Sequence, residues 1–267
     1  MIRVANAPVS YGAFELTVGV LANVPSPERV LDAIAAAGYE GTELGPLGYL
    51  GRDAELRDRL GSRGLALAGA FVELRFGDGD YSALEDTLDV LDDFDAKPVL
   101  SDRGPRDGGV DLDGVRAAVE LSRLRGFQPV FHHHMGTRVQ TPFEIERLLA
   151  GTDVSLLLDT GHLTAAGGDP VTGLRDWRDR VDHLHVKDVR LDVLRTALEW
   201  DEAWRAGVFC ELGAGDVDLG GFFAELDGYS GWLVVEQDWI PPPGDDAATQ
   251  IEAQARNRRW LAENGGL

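Results

Sequence analysis

Short apolar runs alternate along the chain with longer amphipathic stretches, at a nearly constant interval from one end to the other. Apolar runs of this length predict buried strands, and the amphipathic stretches between them predict helices. We predict eight strands, at residues 4–8, 39–44, 66–72, 97–101, 128–132, 154–159, 183–187 and 232–236. Repeated strand–helix units of this kind are typical of α/β proteins with a parallel sheet.

Several predicted helices have recognisable start signals. Thr141 with Glu144, and Ser82 with Glu85, have the spacing of a capping box, in which each side chain satisfies a free backbone N–H of the other residue. Three helices are expected to begin with a capping side chain directly before a proline: Ser26-Pro27, Thr141-Pro142 and Asp169-Pro170. These signals place helix starts between the predicted strands and support the strand–helix alternation.

Eight strand–helix units in 267 residues match the size of a single (β/α)8 TIM barrel. A doubly wound sheet more often has fewer strands and a glycine-rich first turn, and the chain contains no G-x-G-x-x-G or P-loop sequence. Because no long polar linker divides the chain, we expect one domain over residues 1–267. The least regular part, residues 189–216, predicts a long loop over one face of the barrel.

The charge and composition exclude several classes of partner. The 25 Lys and Arg residues against 46 Asp and Glu residues give a formal net charge of −21, which repels phosphate backbones, so we expect no nucleic-acid partner. No apolar stretch approaches the length of a membrane span, and we expect no membrane partner. The single cysteine, Cys210, fits a reducing cytoplasm and an ordinary small apolar side chain.

The chemistry-bearing residues follow the later strands. Catalytic groups of a TIM barrel come from the C-terminal ends of its strands, and four predicted strands end in polar residues: FHHHMGT, VSLLLDTGH, HLHVKD and WLVVEQD. All six histidines lie in the fifth, sixth and seventh units. Because side chains alternate along a strand, Asp159, His185 and Glu236 can all point into the barrel mouth. Imidazoles and carboxylates that converge there predict a divalent-metal site with open positions for a substrate.

Other residues of these segments have structural interpretations as well as functional ones. His183 could be a histidine of the barrel interior that is bonded to a neighbour, and Lys187 could form a strand-end ion pair with Asp188. His133 should point away from the barrel axis if its strand is regular. His162 could orient a metal ligand without binding the ion itself.

Several segments together resemble the sugar isomerase/epimerase superfamily of xylose-isomerase-like TIM barrels. They are NAPVSYGAFE, GTELGPLGYL, FHHHMGTRVQT, LLLDTGHLTAAGGDP, HLHVKDVR, ELGAGDVDL and WLVVEQD, in register with all eight predicted strands. Within that superfamily they are most similar to the inosose dehydratases of myo-inositol catabolism. The combination of segments is specific, although each is short.

The resemblance implies a divalent metal, with Mn²⁺ or Co²⁺ expected first and Zn²⁺, Fe²⁺ or Mg²⁺ as alternatives. The superfamily usually holds this ion with a Glu, an Asp, a His and a Glu after the fifth to eighth strands. Carried over, this implies Asp159, His185 and Glu236 as ligands. The first ligand differs, because His132 stands where many relatives have Glu, and whether His132 or His134 binds the ion is left open.

The resemblance also implies a reaction. Epimerases of the superfamily use two metal-bound glutamates as an acid–base pair, and one of the two is absent here. We therefore expect a dehydratase that abstracts a proton α to a ketone and expels the β-hydroxyl as water, with Glu236 as base and a protonated His132 or His134 as acid. Glu43, Lys187 and His162 are expected to contact the substrate.

Three other functions remain open at this point. The nearest is a ketose or keto-acid isomerase or epimerase at the same metal site. The others are metal-dependent phosphodiester cleavage, which the negative charge disfavours, and a sugar-binding protein without turnover. A small neutral sugar or cyclitol is the expected partner, and a homo-oligomer is compatible with the sequence.

Overall fold

The computed structural model describes residues 1–104, 106 and 108–267, and within them eight parallel strands close into a barrel. Their order is β1-β10-β7-β6-β5-β4-β3-β2, and β1 pairs with both β10 and β2. Each of the eight predicted strands is found, with small shifts at the ends, and the predicted (β/α)8 TIM barrel is confirmed. The barrel strands are β1 (Ile2–Asn6), β2 (Gly41–Glu43), β3 (Ala66–Leu74), β4 (Lys97–Asp102), β5 (Val130–His132), β6 (Ser155–Asp159), β7 (Val181–Val186) and β10 (Gly231–Val235).

Helices alternate with these strands along the chain. They are α1 (Pro27–Ala37), α2 (Asp53–Gly61), α3 (Ser82–Leu91), α4 (Leu112–Leu124), α5 (Pro142–Gly151), α6 (Thr160–Ala165), α7 (Pro170–Asp176), α8 (Leu191–Thr196), α9 (Trp200–Arg205), α10 (Leu219–Ala224) and α11 (Ala248–Asn264). Across the described residues, none of these helices combines the length and the apolar character that a bilayer crossing requires.

The predicted helix starts are confirmed at three of four positions. Ser26, Thr141 and Asp169 each accept a hydrogen bond from a backbone N–H of the helix that follows, and Thr141 forms the complete capping box with Glu144. The predicted capping box of Ser82 with Glu85 is wrong. Ser82 is itself the first residue of α3, and its N–H donates to the Asp80 carboxylate, which therefore organises this start instead.

Strand alternation divides the core into an outer and an inner part. Leu156 and Leu158 of β6 belong to the main apolar cluster, which also contains the buried faces of the helices. Leu157, between them, packs instead with Val99 and Val130 in a separate cluster that draws on β4, β5 and β6. The residues that alternate with the outer core therefore fill the barrel interior, and the side chains at the upper ends of that inner face line its mouth.

The segment predicted as a long loop, residues 189–216, has secondary structure of its own, so that prediction is wrong. Two short strands, β8 (Asp188–Val189) and β9 (Phe209–Cys210), pair antiparallel and enclose α8 and α9. Their apolar side chains form a small separate core that includes Val189, Ala203, Val208 and Phe209. Burial of these side chains stabilises the segment without a regular strand–helix pattern.

Asp188 fixes the glycine-rich end of this segment. Its Oδ2 accepts hydrogen bonds from the N–H groups of Gly213 and Gly215, and its Oδ1 accepts from those of Val189 and Val217, at 2.9 to 3.1 Å. A Cβ at Gly215 would lie 2.3 Å from Asp188 Oδ1, so only glycine permits this approach. The carboxylate therefore organises the ELGAGD turn, and the predicted ion pair between Lys187 and Asp188 is wrong.

We expect Asp188→Ala to destabilise the protein by about 3 kcal/mol or more, because it leaves four backbone donors without their charged acceptor. The free energy of unfolding from urea titrations, followed by circular dichroism, measures the loss. Asp192→Ala is the matched control, since the Asp192 side chain is exposed and accepts one backbone hydrogen bond, from Val193. An equal effect of the two substitutions would contradict the assigned role of Asp188.

Candidate active site

A cavity of about 280 Å³ opens at the C-terminal ends of the barrel strands. One wall is apolar and includes Phe14, Leu16, Phe71 and Trp204. The other wall carries the polar strand-end residues Glu43, His132, His134, His185, Lys187, Glu236 and Asp238. A concave site with an apolar wall and a few converging polar groups is typical of small-molecule binding.

Asp159, His185 and Glu236, which lie far apart in the sequence, meet at the base of this cavity, where His185 and Glu236 line it and Asp159 is buried beside them. Asp159 ends β6 and pairs in register with His185 on β7, while Glu236 directly follows β10. His185 Nδ1 lies 2.9 Å from Glu236 Oε2 and 3.6 Å from Asp159 Oδ2. The three residues are at most 5% exposed, so their donor atoms face one another in a site that excludes bulk water.

The sequence left open whether His132 or His134 binds the metal, and the structure places them in different groups of donor residues. His132 Nε2 is 3.3 Å from Asp159 Oδ2, and the donor atoms of His132, Asp159 and His185 lie within 4.8 Å of one another. His134 instead groups with His162 and Asp238. The geometry therefore favours His132, and not His134, as the ligand from the fifth strand.

Glu43 has a role that its strand-end position did not reveal. Its Oε1 accepts hydrogen bonds from Nε2 of both His183 and His185, each at 3.0 Å. This contact holds the His185 ring with Nδ1 turned toward Asp159 and Glu236. It also confirms the interior interpretation of His183, which is 0% exposed and bonded to a neighbour. Glu43 lines the cavity as well, so a substrate contact stays a prediction.

Lys187 is buried among carboxylates. Its Nζ lies 2.8 Å from Asp238 Oδ1, 2.9 Å from Glu236 Oε2 and 3.3 Å from Asp159 Oδ2. Burial alone would lower the pKa of Lys187, but Asp159, Asp238 and Glu236 outweigh it and raise the pKa well above its usual value. The side chain is therefore a fixed positive charge on the cavity wall.

His133 and His162 support Asp159 from behind. The Asp159 N–H donates to His133 Nε2 at 3.1 Å, and the His162 N–H donates to Asp159 Oδ1 at 2.8 Å. Neither ring lines the cavity, which agrees with the expectation that His133 points away from the axis. His162 contacts Asp159 through its backbone N–H, so an orienting role of the His162 side chain stays a prediction. A direct substrate contact by His162 is not supported by this position.

Burial also sets the charge of the imidazoles. It lowers the pKa of His132 to about 4, although Asp159 partly opposes the shift, and it lowers the pKa of His134. His185 behaves differently, because Glu236 and Glu43 overcome the effect of burial and raise its pKa. At neutral pH His132 and His134 are therefore uncharged, which suits a ligand and disfavours the predicted protonated acid.

These residues fit a divalent metal ion. His185 Nδ1 is buried without a hydrogen-bond partner, although it faces two carboxylate oxygens, and His132 Nε2 faces one of the same oxygens, Asp159 Oδ2. Imidazole nitrogens with carboxylate oxygens are the donor set of Mn²⁺, Co²⁺, Fe²⁺ and Zn²⁺ sites. An ion here would bind His132, Asp159, His185 and Glu236, and it would displace the proton that the carboxylates stabilise on His185.

Comparison with known proteins agrees with this geometry. A profile described as xylose isomerase-like TIM barrel matches residues 31–263. The chain belongs to the xylose isomerase-like TIM barrel family. An inosose dehydratase of Geobacillus thermodenitrificans is 31% identical over an alignment of 277 positions, which covers 90% of each chain. A dehydratase is an enzyme, and this chain is likewise an enzyme of the superfamily.

Two solved structures share the fold. A structure described as IOLI protein with a binding zinc atom has a TM-score of 0.73 and 13% identity, and the match covers 99% of this chain and 100% of the other. A D-allulose 3-epimerase from Methylomonas sp., in complex with D-allulose, has a TM-score of 0.71 and 15% identity, over 98% and 97% of the chains. Both matches extend over the whole barrel.

Several cavity residues were missed from the sequence. Phe14 and Trp204 pack together, with ring centroids 5.1 Å apart, and they cover one side of the cavity. Glu73 and Arg103 lie farther out on its rim. Phe14 stands in the NAPVSYGAFE segment that carries the family resemblance, which is a signal that could have identified it. Trp204 lies on α9, in the segment expected to be a loop, where no sequence signal marked it.

We expect Glu43→Gln to weaken metal binding by about 10- to 100-fold, because loss of the carboxylate frees the His185 ring from its orienting partner. Isothermal titration calorimetry with Mn²⁺ measures the change. Glu40→Gln is the matched control: Glu40 lies close in sequence, but it is half-exposed and contacts Arg3 and the Val4 N–H. Unchanged affinity in Glu43→Gln would contradict the orienting role.

Proposed function

We propose that this protein is a divalent-metal-dependent dehydratase that acts on a keto-inositol or a similar polyhydroxylated cyclic ketone. One observation carries the proposal. The Glu236 carboxylate lies at a single cavity beside the metal-donor residues His132, Asp159 and His185. The position at the end of β5 holds an imidazole where an epimerase of this superfamily would use its second glutamate. The named inosose dehydratase relative supports the same substrate class.

Glu236 is the proposed base. Its carboxylate lies on the cavity wall, 5% exposed, where it can accept a proton from a carbon next to the substrate ketone. A bound divalent ion would act as a Lewis acid that stabilises the negative charge on the enolised substrate. His132, Asp159 and His185 would hold that ion, and Glu43 would keep His185 turned toward it.

The departing β-hydroxyl needs a hydrogen-bond donor on the same wall. His132 and His134 are uncharged at neutral pH because burial lowers the pKa of each. Lys187 is charged and lines the same cavity, so we assign this donor role to its ammonium. His134 donates its Nδ1 proton to the Met135 carbonyl at 2.7 Å, which leaves Nε2 as an acceptor for a substrate hydroxyl.

The decisive experiment incubates the Mn²⁺-loaded protein with scyllo-inosose. The ultraviolet absorbance of an enolised diketone and the loss of water, detected by mass spectrometry, report dehydration. The proposal expects both signals in the presence of Mn²⁺ and neither after chelation with EDTA. Conversion of the substrate to an isomer of the same mass would refute dehydration.

A sugar isomerase or epimerase is the second candidate. It is favoured by the position of Glu43, which contacts Nε2 of His185 while Glu236 contacts Nδ1, so two carboxylates line the cavity on opposite edges of one ring. The D-allulose 3-epimerase structure shares the fold. Turnover of ketohexoses such as D-allulose, followed by chromatography, separates this candidate from the dehydratase.

Further properties are part of the proposal. The substrate is a small neutral sugar or cyclitol, and nucleic acid and membranes are not partners, since the charge is −21. Mn²⁺ or Co²⁺ is the native ion, the chain forms one domain over residues 1–267, and it acts in the cytoplasm. A homo-oligomer stays a prediction, which sedimentation would test.

A further inference from the structure

The chain uses lysine at two positions only, Lys97 and Lys187, and arginine for every other cationic side chain. Lys97, at the start of β4, pairs with Asp182 at the opposite end of the barrel from the cavity. Lys187 lies at the cavity and is 2% exposed. An ammonium is a compact point charge, whereas a guanidinium is a broad planar fork. Position 187 therefore holds the cationic side chain whose compact charge most resembles that of a metal ion.

A second group of metal-donor residues surrounds this ammonium. The donor atoms of His134, His162 and Asp238 lie within 4.8 Å of one another. Lys187 Nζ lies 3.2 Å from His162 Nε2 and 2.8 and 3.1 Å from the two Asp238 oxygens. The rings of His134 and His162 are in contact, with centroids 3.7 Å apart and planes tilted by 43°. The Lys187 ammonium, itself a cation, therefore already contacts two of these three residues, His162 and Asp238.

The same ammonium also contacts the first donor group. It lies 3.3 Å from Asp159 Oδ2 and 2.9 Å from Glu236 Oε2, and both oxygens face His185 Nδ1. Carboxylates shared between neighbouring cations are typical of two-metal sites, where the ions lie about 3.5–4 Å apart. Lys187 therefore has the contacts that a second ion of such a site would make.

We infer that the Lys187 ammonium takes the position of a second divalent ion and thereby limits this centre to one bound metal. The residues His134, His162 and Asp238 form a latent second metal site that the ammonium fills. This inference rests on the metal site of the proposed function, but it concerns the number of ions and not the reaction. Loss of the ammonium leaves the clustered carboxylates without their internal cation, and a second divalent ion would restore the balance of charge.

The test measures metal stoichiometry in Lys187→Met, which keeps an unbranched side chain one atom shorter than lysine and removes the ammonium. Metal-free protein is titrated with Mn²⁺ by calorimetry, and bound metal after gel filtration is measured by mass spectrometry. We expect one equivalent in the wild type and two in Lys187→Met, with the spin coupling of a Mn²⁺ pair in electron paramagnetic resonance spectra. Lys97→Met is the matched control. It removes the chain's other lysine, which lies outside the cavity, and should keep one equivalent.

A second substitution assigns the added ion to its site. Asp238→Asn in the Lys187→Met background should return the stoichiometry to one equivalent, while Asp238→Asn alone should leave the wild-type value unchanged. Two equivalents in the wild type would overturn the inference, even if Lys187→Met did not fold. One equivalent in folded Lys187→Met would overturn it as well. Absence of dehydration by the wild type would refute the proposed function, and it would not alter these stoichiometries.

Discussion

Replacing Glu236 by glutamine should reduce kcat/KM for dehydration of scyllo-inosose by about 10³-fold. General bases contribute about 10² to 10⁴ in rate, and an amide has almost no basicity with which to accept the α-proton. Glutamine keeps the size of the side chain and one oxygen close to His185 and Lys187, so the cavity should keep its shape. Initial rates with Mn²⁺-saturated enzyme measure the loss, and saturation separates the missing base from weakened metal binding.

Glu73→Gln is the matched control for this loss. Glu73 lies on the cavity rim, 3.7 Å from Arg103, and burial raises its pKa. Among the described interactions it makes no hydrogen bond or ion pair with the metal-donor group, and only the charge of His132 acts on its pKa from a distance. We expect its substitution to change kcat/KM by less than about tenfold, through KM. Residual activity of Glu236→Gln close to that of Glu73→Gln would mean that another residue abstracts the proton.

Most of the fold could be predicted from local pattern. The eight strands are short apolar runs, and the alternation of inner and outer side chains follows from the two-residue period of a strand. For that reason Asp159 is expected to point into the barrel mouth, and the structure has Leu157, two residues earlier on the same face of β6, in the inner core. The sequence prediction fails where stability comes from contacts between residues distant in the chain. Residues 189–216 are the example, because the apolar residues of their separate core follow no regular spacing.

The sequence could predict which strands contribute residues to the site, but it could not predict which of those side chains touch. Strand ends identify which residues reach the mouth, so Asp159, His185 and Glu236 were found from sequence. Which residues touch depends on register between strands and on rotamers. The sequence alone therefore left open the choice between His132 and His134, and it did not show that Glu43, some 140 residues away, bonds to His185. The three carboxylates around Lys187 come from two other strands, Asp159 from β6 and both Glu236 and Asp238 from the end of β10, and were hidden for the same reason.

The metal-free protein should lose stability steeply as the pH falls from about 6.5 toward 4. Burial lowers the pKa of His132 to about 4 and that of His133 to about 3, against an ordinary value of 6.5. The unfolded chain therefore binds protons in this interval that the folded chain does not, and protonation favours unfolding. For His132 alone the loss approaches about 3 kcal/mol, at 1.36 kcal/mol for each pKa unit.

His185 does not offset this loss. Its pKa is raised in the folded state by Glu236 and Glu43, so its contribution is complete below pH 6.5 and is lost only as the pH rises through the raised pKa. Urea unfolding of EDTA-treated protein between pH 7.5 and 4 measures the slope. His133→Asn, which removes one buried base, should flatten it. Saturating Mn²⁺ should raise the stability at pH 7.5 and steepen its loss toward pH 4, because a ligating imidazole must stay unprotonated and protons therefore compete with the ion. A stability that is independent of pH in this interval would mean that the histidines are solvated, and the closed metal site described above would then be wrong.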